Sequence, residues 1–490
     1  MAKVTAVIDI GSNSVRMAVF ERTSRFGFRL LKEAKSRVRI SENAWKNGGI
    51  LQEAAITRAQ AALNEFVQLA ESFGARKILA VATSAVRDAP NRADFIRRVK
   101  QKTGLQIRVI DGLEEARMGG LAAVNLLPVT EGITVDIGGG STDLALIQNG
   151  RVVDTVSFNL GTVRLKELFF DEKPDIEGAL RFVYRALKVL PDHFKSHRII
   201  GVGGTLRALS SVVMKRERYP LDVLHGYGFN LDENRPLLSE IVRSQMPGLR
   251  RIGFKPERLD VIREGVLIFT RIARRIGAKE AVTSGVGVRE GVFLNDMLRS
   301  CGGYFPPDIQ PSLRSLTDRF GVDSRQTDWL GKTALKLFDE LSSLHGLDAG
   351  FKKPLLRAAQ LLPIGEMLDT YDRAEHGYYM AFHGLSYGFQ HAERILIAKL
   401  IKAQQKKELH HFAPAASLRS LLPSAVTIRW LSLMLYLASV INAARNCPKV
   451  DFALTGRTLE ITLPDSGYLA KESLGRLKPP FHLTIEVRGR

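Results

Sequence analysis

The N-terminal part of the chain alternates short apolar runs with longer stretches in which apolar residues recur every three or four positions. A β-branched run at 4–10 and an apolar run at 15–20 predict two strands around a turn at 11–14. Between 51 and 73 the apolar spacing is helical. The alternation continues with a strand at 77–82, a helix at 91–103, a strand at 107–110 and a helix at 113–127. Strands alternating with helices predict an α/β domain with a largely parallel sheet.

The first strand and its turn occur a second time near residue 130. Residues 7–14 read Val-Ile-Asp-Ile-Gly-Ser-Asn-Ser, and residues 133–141 read Ile-Thr-Val-Asp-Ile-Gly-Gly-Gly-Ser. Both copies have Asp-Ile-Gly-x-x-Ser at the end of an apolar strand, and another apolar strand follows each. A further strand and glycine turn at 198–205 opens a helix. A repeated element predicts two related α/β halves that face one another.

The pattern changes after a glycine and proline cluster at 301–307, which is typical of a domain boundary. Apolar stripes then predict helices at 333–344, 353–362, 393–405 and 426–444, whereas 458–463 and 482–487 alternate with the period of two of half-exposed strands. We therefore predict four segments: α/β domains at 1–128 and 129–302, an all-α domain at 303–450 and a small β-rich segment at 451–490.

The composition excludes several classes of protein. The 490 residues are 45% hydrophobic and 25% charged, so a disordered or fibrous chain is excluded. Cys301 and Cys447 are the only cysteines, which excludes a disulfide scaffold and a cysteine zinc site. The first residues lack a signal-peptide pattern. The longest apolar stretch, 430–441, is shorter than the about 20 residues of a membrane helix. We expect a buried helix there and a soluble cytoplasmic protein.

The formal net charge of +20 comes from 71 basic and 51 acidic side chains. Such a surplus suits nucleic acid, an anionic membrane surface or a polyanionic small substrate, and composition does not choose among them. A solvated basic surface accounts for most of the individual lysines and arginines.

The two repeated turns have the residue types that bind phosphate. Successive backbone N–H groups in a turn bind phosphate oxygens, and glycine lets the main chain approach a ligand closely. A neighbouring aspartate supplies the hard oxygen that Mg²⁺ prefers. Either turn alone is more simply a tight hairpin, but the pair favours an anionic chain and its metal held from both sides. The turn residues are Gly11, Ser12, Asn13 and Ser14, and Gly138, Gly139, Gly140, Ser141 and Thr142.

Three further positions have both a chemical and a structural interpretation. Arg87 follows the strand at 77–82 and either holds a phosphate or pairs with Asp88 at the surface. Glu114 and Glu115 begin the helix at 113–127, where acidic residues usually cap the helix. Asp143 lies on the outgoing strand of the second repeat, either in the site or solvated.

Six motifs together carry a resemblance to a known family. They are Asp9-Ile-Gly-Ser-Asn-Ser, Ala82-Thr-Ser-Ala-Val-Arg, Glu114-Glu-Ala-Arg, Asp136-Ile-Gly-Gly-Gly-Ser-Thr, Gly161-Thr-Val-Arg-Leu and Val202-Gly-Gly-Thr. In this order and spacing the chain resembles the exopolyphosphatase/guanosine pentaphosphate phosphohydrolase family, and most of all an exopolyphosphatase. The resemblance implies a duplicated actin-like (ribonuclease H-like) α/β fold. It also implies Mg²⁺-dependent hydrolysis of the terminal phosphate of inorganic polyphosphate or guanosine pentaphosphate.

The resemblance also implies a role for each site residue. Glu115 matches the family's catalytic glutamate, the base that activates the attacking water, and Arg87 matches an arginine that faces the substrate phosphates. Asp9 and Asp136 match the aspartates near metal and phosphate. Asp143 stands where many members have a glutamate, and we expect it at the metal as well. The two turns match the family's phosphate-cradling turns.

The segment at 310–450 resembles the family's all-α HD-like accessory domain. Leu362 and Pro363 stand where that domain usually has a histidine and an acidic residue. We therefore expect no metal-dependent hydrolase site there, and instead a structural role in extending the binding channel or joining the protomers of a homodimer.

Four functions are compatible with these motifs. The main expectation is an exopolyphosphatase, with no specific nucleic acid and no membrane as partner. A guanosine pentaphosphate hydrolase would use the same site. An actin-like ATPase or sugar kinase would share the phosphate turns, but the acidic pair Glu114-Glu115 and the motif order argue against it. A non-catalytic polyanion sensor would need a disabled Glu115 site, and here Glu115 is present.

Overall fold

The structure is a computed structural model that describes residues 3–171, 174–404, 416–464, 467–477 and 479–489. The chain divides into two compact units, residues 1–309 and residues 310–490. The division of the first unit at 128/129 and of the second at 450/451 remains a prediction.

The first unit contains two sheets built on one plan. In each sheet a strand that ends in Asp-Ile-Gly begins an antiparallel three-stranded meander, and parallel strands add to its other edge. The strand orders are β3-β2-β1-β4-β5 and β10-β11-β9-β6-β7-β8. The strands are β1 Lys3–Ile10, β2 Val15–Arg22, β3 Phe28–Ser36, β4 Lys77–Ala82, β5 Ile107–Val109, β6 Gly132–Ile137, β7 Thr142–Gln148, β8 Arg151–Phe158, β9 Arg198–Val202, β10 Gly228–Asn230 and β11 Glu280–Thr283.

The predicted α/β class is confirmed, but the prediction of a largely parallel sheet is wrong. In the first sheet β1, β2 and β3 pair antiparallel, and only β4 and β5 join in parallel. The physical reason is the short turn after β1, because strands joined by a tight turn can only pair antiparallel, whereas a parallel pair needs a long crossover.

Helices cover both sheets of the first unit. They are α1 Glu53–Ser72, α2 Ser84–Arg87, α3 Arg92–Thr103, α4 Gly112–Leu126, α5 Thr162–Phe169, α6 Ile176–Leu187, α7 Gly203–Arg216, α8 Arg235–Arg243, α9 Met246–Ile252, α10 Ile262–Ile276 and α11 Val288–Met297. The predicted helices at 51–73, 91–103 and 113–127 correspond to α1, α3 and α4, with ends displaced by at most two residues.

Two helices cross from one sheet to the other. Helix α4 follows the first sheet in the chain but packs on β7 and β8 of the second, where Gly120 lies against Ala145 and Val152. Helix α11 follows the second sheet but packs on β1 and β2 of the first, with the ring of Phe293 stacked 4.3 Å from that of Phe20. This exchange brings Glu115, in the first turn of α4, to a pocket that residues of both repeated turns also line.

The second unit is mostly helical and carries a three-stranded sheet, as predicted. Its helices are α12 Pro311–Arg319, α13 Ser324–Glu340, α14 Ser342–His345, α15 Lys352–Leu361, α16 Arg373–Gly384, α17 His391–Lys402, α18 Ala425–Ile441 and α19 Tyr468–Gly475. Its strands are β12 Asp451–Thr455, β13 Thr458–Leu463 and β14 Thr484–Gly489.

The apolar helix α18 lies in the core of the second unit, where Leu431, Leu433 and Leu437 are completely buried, as expected for the stretch 430–441. Among the described residues, no helix combines the length and the hydropathy of a membrane span. The helix predicted from 333 begins earlier, at Ser324, because Asp323 caps it by accepting a hydrogen bond from the Arg325 amide.

Candidate active site

The two repeated turns have the same backbone geometry and lie against each other. The Gly11 amide donates to the Ser14 carbonyl at 3.2 Å, and the Gly138 amide donates to the Ser141 carbonyl at 2.9 Å. A Cβ atom on Gly139 would lie 2.9 Å from the Cβ of Ser12, so the turns meet at these two residues. The predicted facing pair is therefore present in the fold.

Six amide groups of the turns have no acceptor in the described part of the protein. They belong to residues 12–14 and 139–141, and all of these residues except Gly140 line one pocket. Buried N–H groups are normally paired, so a cluster of free donors indicates a place for water or an anionic ligand. The chemistry of this cluster suits phosphate oxygens.

Neighbouring segments hold the turns rigidly. The Ser12 hydroxyl is hydrogen-bonded to that of Ser84 at 3.1 Å, and the Ser12 carbonyl accepts from the Ser41 amide. The Gly139 carbonyl accepts from the Val163 amide at 2.9 Å. A Cβ atom on Gly161 would lie 2.3 Å from the Gly139 carbonyl, so only glycine allows this approach.

Three predicted aspartates converge on the pocket. Asp9 ends β1, Asp136 ends β6, and Asp143 lies directly opposite Asp136 on β7. Burial raises the pKa of Asp9 to about 6 and that of Asp143 to about 7, and it also raises the pKa of Asp136. The pocket therefore concentrates carboxylates that need a positive partner to remain charged.

Asp143 differs from the other two in its hydrogen bonds. One of its oxygens accepts from the Ser157 hydroxyl at 2.5 Å and the other from the Ser141 hydroxyl at 3.2 Å. In the described chain Asp9 and Asp136 have no side-chain hydrogen bond or ion pair. The side chains of Asp9 and Asp136 are therefore the more available ligands.

Glu115 lies in the first turn of α4 and also lines the pocket. Arg87 is hydrogen-bonded to Glu115, because its Nη1 donates to the Glu115 Oε2 at 3.1 Å. The same nitrogen donates to the Ile110 carbonyl at 3.2 Å. Burial raises the pKa of Glu115 well above its usual range, Asp143 and Asp9 raise it further, and Arg87 opposes the increase. Arg87 also pairs with Asp88 at 3.3 Å, as one of its two sequence interpretations predicted, whereas a contact of Arg87 with phosphate remains a prediction.

Three cations that sequence reasoning did not single out line the same pocket: Arg16, Lys35 and Arg258. Burial, followed by the charges of Arg16 and Arg258, lowers the pKa of Lys35 to about 8. Arg16 stands two residues after the first turn and could have been proposed for that reason. Lys35 and Arg258 belong to no motif, and only the fold brings them together.

The donor set fits a divalent cation of the magnesium type. Within the described residues, no three histidine, cysteine or acidic side chains lie close enough together to form a complete metal cluster. Magnesium is usually bound by one or two carboxylates, with water and substrate phosphate as the other ligands. Asp9 and Asp136, which have no other side-chain partner, provide such a pair.

Comparison with known proteins places the chain in a family. The model of the Ppx/GppA phosphatase family matches residues 18–300, and that of Ppx/GppA phosphatase domain III matches residues 310–477. The chain belongs to the Ppx/GppA phosphatase family. The resemblance predicted from the six motifs is thereby confirmed.

Solved structures of similar proteins support the family assignment and the fold. An exopolyphosphatase-like protein is 26% identical with a TM-score of 0.55, over 61% of this chain and 99% of its own. The PPX-GPPA enzyme of Aquifex aeolicus is 28% identical, with a TM-score of 0.51; the match covers 60% of this chain and 99% of the Aquifex chain. An exopolyphosphatase from Cytophaga hutchinsonii, 22% identical with a TM-score of 0.56 over 60% and 98%, shares the fold.

The predicted duplicated actin-like α/β fold, followed by a mostly helical region with a small terminal sheet, is confirmed for this Ppx/GppA phosphatase. The predicted roles of the individual residues remain predictions. The fold brings Glu115, the three aspartates and most of both turns into one pocket, which Gly140, Thr142 and Arg87 do not line, although Arg87 is hydrogen-bonded to Glu115.

Proposed function

We propose that this Ppx/GppA phosphatase is an exopolyphosphatase, which hydrolyses the terminal phosphate of inorganic polyphosphate. The observation that carries the proposal is the composition of one pocket. It is lined by five residues with free amides, by three cations, and by Glu115 and three aspartates. Such an arrangement suits an anionic chain whose terminal phosphate is transferred to water.

Glu115 is the proposed general base. It would orient a water molecule in line with the terminal phosphorus and accept its proton, and Arg87 would keep the carboxylate in place by its 3.1 Å hydrogen bond. A raised pKa makes a carboxylate a stronger base, which suits proton transfer near neutral pH. The free amides of the turns and the pocket cations would stabilise the charge that develops on the phosphate oxygens.

Asp9 and Asp136 would hold Mg²⁺, and Asp143, fixed by Ser141 and Ser157, would add negative charge beside them. When bound, Mg²⁺ supplies positive charge that neutralises the carboxylates and the phosphate oxygens. The protein's own contribution is to keep these carboxylates together in a buried pocket.

The pocket lining favours polyphosphate over guanosine pentaphosphate. No aromatic side chain is found among the described residues that line it. Proteins commonly stack an exposed base on an aromatic ring. The two arginines of the lining, Arg16 and Arg258, are proposed to match the successive charges of a phosphate chain together with Lys35.

The experiment that tests the proposed base is Glu115→Gln, with Glu114→Gln as its matched control. The adjacent Glu114 pairs with Arg108 and does not line the pocket. We expect Glu115→Gln to abolish phosphate release from long polyphosphate with Mg²⁺ while polyphosphate binding persists, and Glu114→Gln to retain both. Phosphate release by Glu115→Gln near the wild-type rate would contradict the assignment.

A comparison of substrates tests the reaction. The pure protein and Mg²⁺ are incubated with long polyphosphate, guanosine pentaphosphate or ATP, and released phosphate is followed. Shortening of long chains from the end supports the exopolyphosphatase. Preference for guanosine pentaphosphate selects the sibling reaction, and release from none of them selects a polyanion sensor.

A further inference from the structure

A groove on the helices of the second sheet is separate from the active-site pocket. It lies between α6, α8 and α10, has a volume of about 1010 Å³ and is partly open to solvent. No residue that lines it also lines the active-site pocket. Small-molecule pockets commonly enclose about 300–1,000 Å³ and cover most of their ligand. A partly open groove of this size is better suited to a segment of a macromolecule.

The inner surface of the groove is apolar. Leu231, Leu238 and Leu267 form its base and belong to the core, and the half-buried Leu180 and Val242 stand above them on α6 and α8. The three leucines at the base are almost fully covered already, so the apolar surface open to an occupant is that of Leu180 and Val242. An occupant with an apolar face covers this surface, which a chain of phosphates cannot do.

The rim of the groove is basic. Five cationic side chains line it, against two acidic ones, Glu177 and Asp232. Asp232 is paired with one of the five, Arg235, at 2.7 Å. In the described chain the other four have no ion pair within 4 Å: Arg243, Arg271, Arg274 and Lys279. The occupant must therefore carry negative charge beside its apolar face.

The dimensions match a short helix. Along α8 the lining extends from Arg235 to Arg243, about 12 Å at a rise of about 1.5 Å per residue, which is about two turns of a docked helix. An apolar groove between helices with charges on its edges is the geometry by which proteins bind amphipathic helices. We propose that this groove docks an acidic amphipathic helix of a partner protein.

The test uses three fluorescein-labelled peptides of about 14 residues, the length at which an isolated helix is marginally stable in water. The first has leucines at helical spacing i, i+3, i+4 and i+7 and glutamates elsewhere. The second has serines in place of the leucines, and the third has lysines in place of the glutamates. Fluorescence anisotropy measures the binding of each peptide to the full chain, without polyphosphate.

The matched protein variants reverse pairs of charges. The double variant Arg271→Glu/Arg274→Glu reverses the charge on one part of the rim. The double variant Arg243→Glu/Lys279→Glu reverses the charge on another part and serves if the first variant folds poorly. Lys100→Glu with Lys102→Glu is the control, because both lysines lie on α3, outside the groove. Retained phosphate release shows that each variant is folded, since none of these residues belongs to the active site.

We expect the first peptide alone to bind saturably, and its affinity to fall at least about tenfold in either rim variant but not in the control. Three results would each overturn the proposal: no saturable binding of the first peptide up to about 1 mM, equal binding of the serine peptide, or equal binding by the rim variants. Equal binding of the serine peptide would identify the rim as a nonspecific polyanion surface.

Discussion

The contact of α4 with the second sheet leads to a sharp prediction for Gly112, the first residue of that helix. A Cβ atom at this position would lie 2.5 Å from the Cβ of Ser157 and 2.2 Å from its hydroxyl oxygen. Ordinary contacts begin near 3.4 Å, so even when the Ser157 hydroxyl rotates away, α4 and β8 must separate by about 0.9 Å. We expect Gly112→Ala to displace Glu115, three residues further along the same helix.

The expected effect of Gly112→Ala is a fall in kcat of about 100-fold, the usual cost of a misplacement of about 1 Å in a catalytic group. The same overpacking is expected to lower the free energy of unfolding by about 1–3 kcal/mol. The change in KM should be smaller, because the phosphate turns are held by Ser84, Ser41 and Gly161 and not by α4.

Gly119 provides the matched control within the same helix. No atom outside the helix lies within 4 Å of the point that a Cβ atom would occupy at this residue, so Gly119→Ala should leave kcat unchanged and stabilise the protein by up to about 1 kcal/mol. Initial rates of phosphate release at saturating polyphosphate and thermal unfolding measure both effects. A folded Gly112→Ala protein with kcat within twofold of wild type would refute the reasoning.

Two further predictions concern charge in the pocket. In EDTA, stability should fall as pH rises from about 4 to 7, because Asp9 and Asp143 have folded-state pKa values of about 6 and about 7, above the ordinary 3.8. Across that window each carboxyl group therefore binds more protons in the folded than in the unfolded state. The resulting contribution to the free energy of unfolding is about 1.4 kcal/mol per unit of pKa difference; it is complete below pH 4 and is lost as the pH rises through the folded-state pKa. Calorimetry should show this slope flattened in Asp9→Asn, and Mg²⁺ should raise Tm more at pH 8 than at pH 5; an equal Mg²⁺ effect at both pH values would contradict it. Lys35→Met should raise KM for polyphosphate several-fold with kcat nearly unchanged. In wild type we expect KM to rise above pH 8, as Lys35, with its pKa of about 8, loses its charge, and Lys35→Met should abolish this rise. A pH profile of KM that is the same in both proteins would exclude Lys35 from substrate binding.

The parts of the site that lie on a repeated or contiguous motif were predictable from the sequence. Asp9 and Asp136 each lie near the end of an apolar strand, just before a glycine turn. The apolar pattern of the two strands is therefore enough to predict that both residues lie at the end of a sheet. Glu115 was less predictable, because an acidic residue in a first helical turn is usually a cap. In the structure Asp111 takes that capping role by accepting from the Glu114 amide, which leaves Glu115 to face the pocket.

The cations of the pocket could not be predicted in the same way. Lys35 lies at the end of an edge strand, and Arg258 lies in a short turn before α10, more than two hundred residues later. Neither residue has a local pattern, because their function depends on tertiary proximity and not on spacing along the chain. The antiparallel pairing of β3 was also missed, since its alternation of half-buried and exposed positions does not reveal its partner.

The exchange of α4 and α11 has a consequence for how the chain acquires its structure during synthesis. The strands that carry Asp9 and Phe20 are made first, yet the helix that covers them, with Phe293 against Phe20, is made about 270 residues later. A nascent chain that stops before Val288 lacks the helix that covers Phe20 in the first sheet, and one cut after Leu126 has α4 without the strands β7 and β8 on which it packs. Residues 3–297 therefore fold as one interlocked body, whose catalytic pocket is completed only when the last of its helices has been translated.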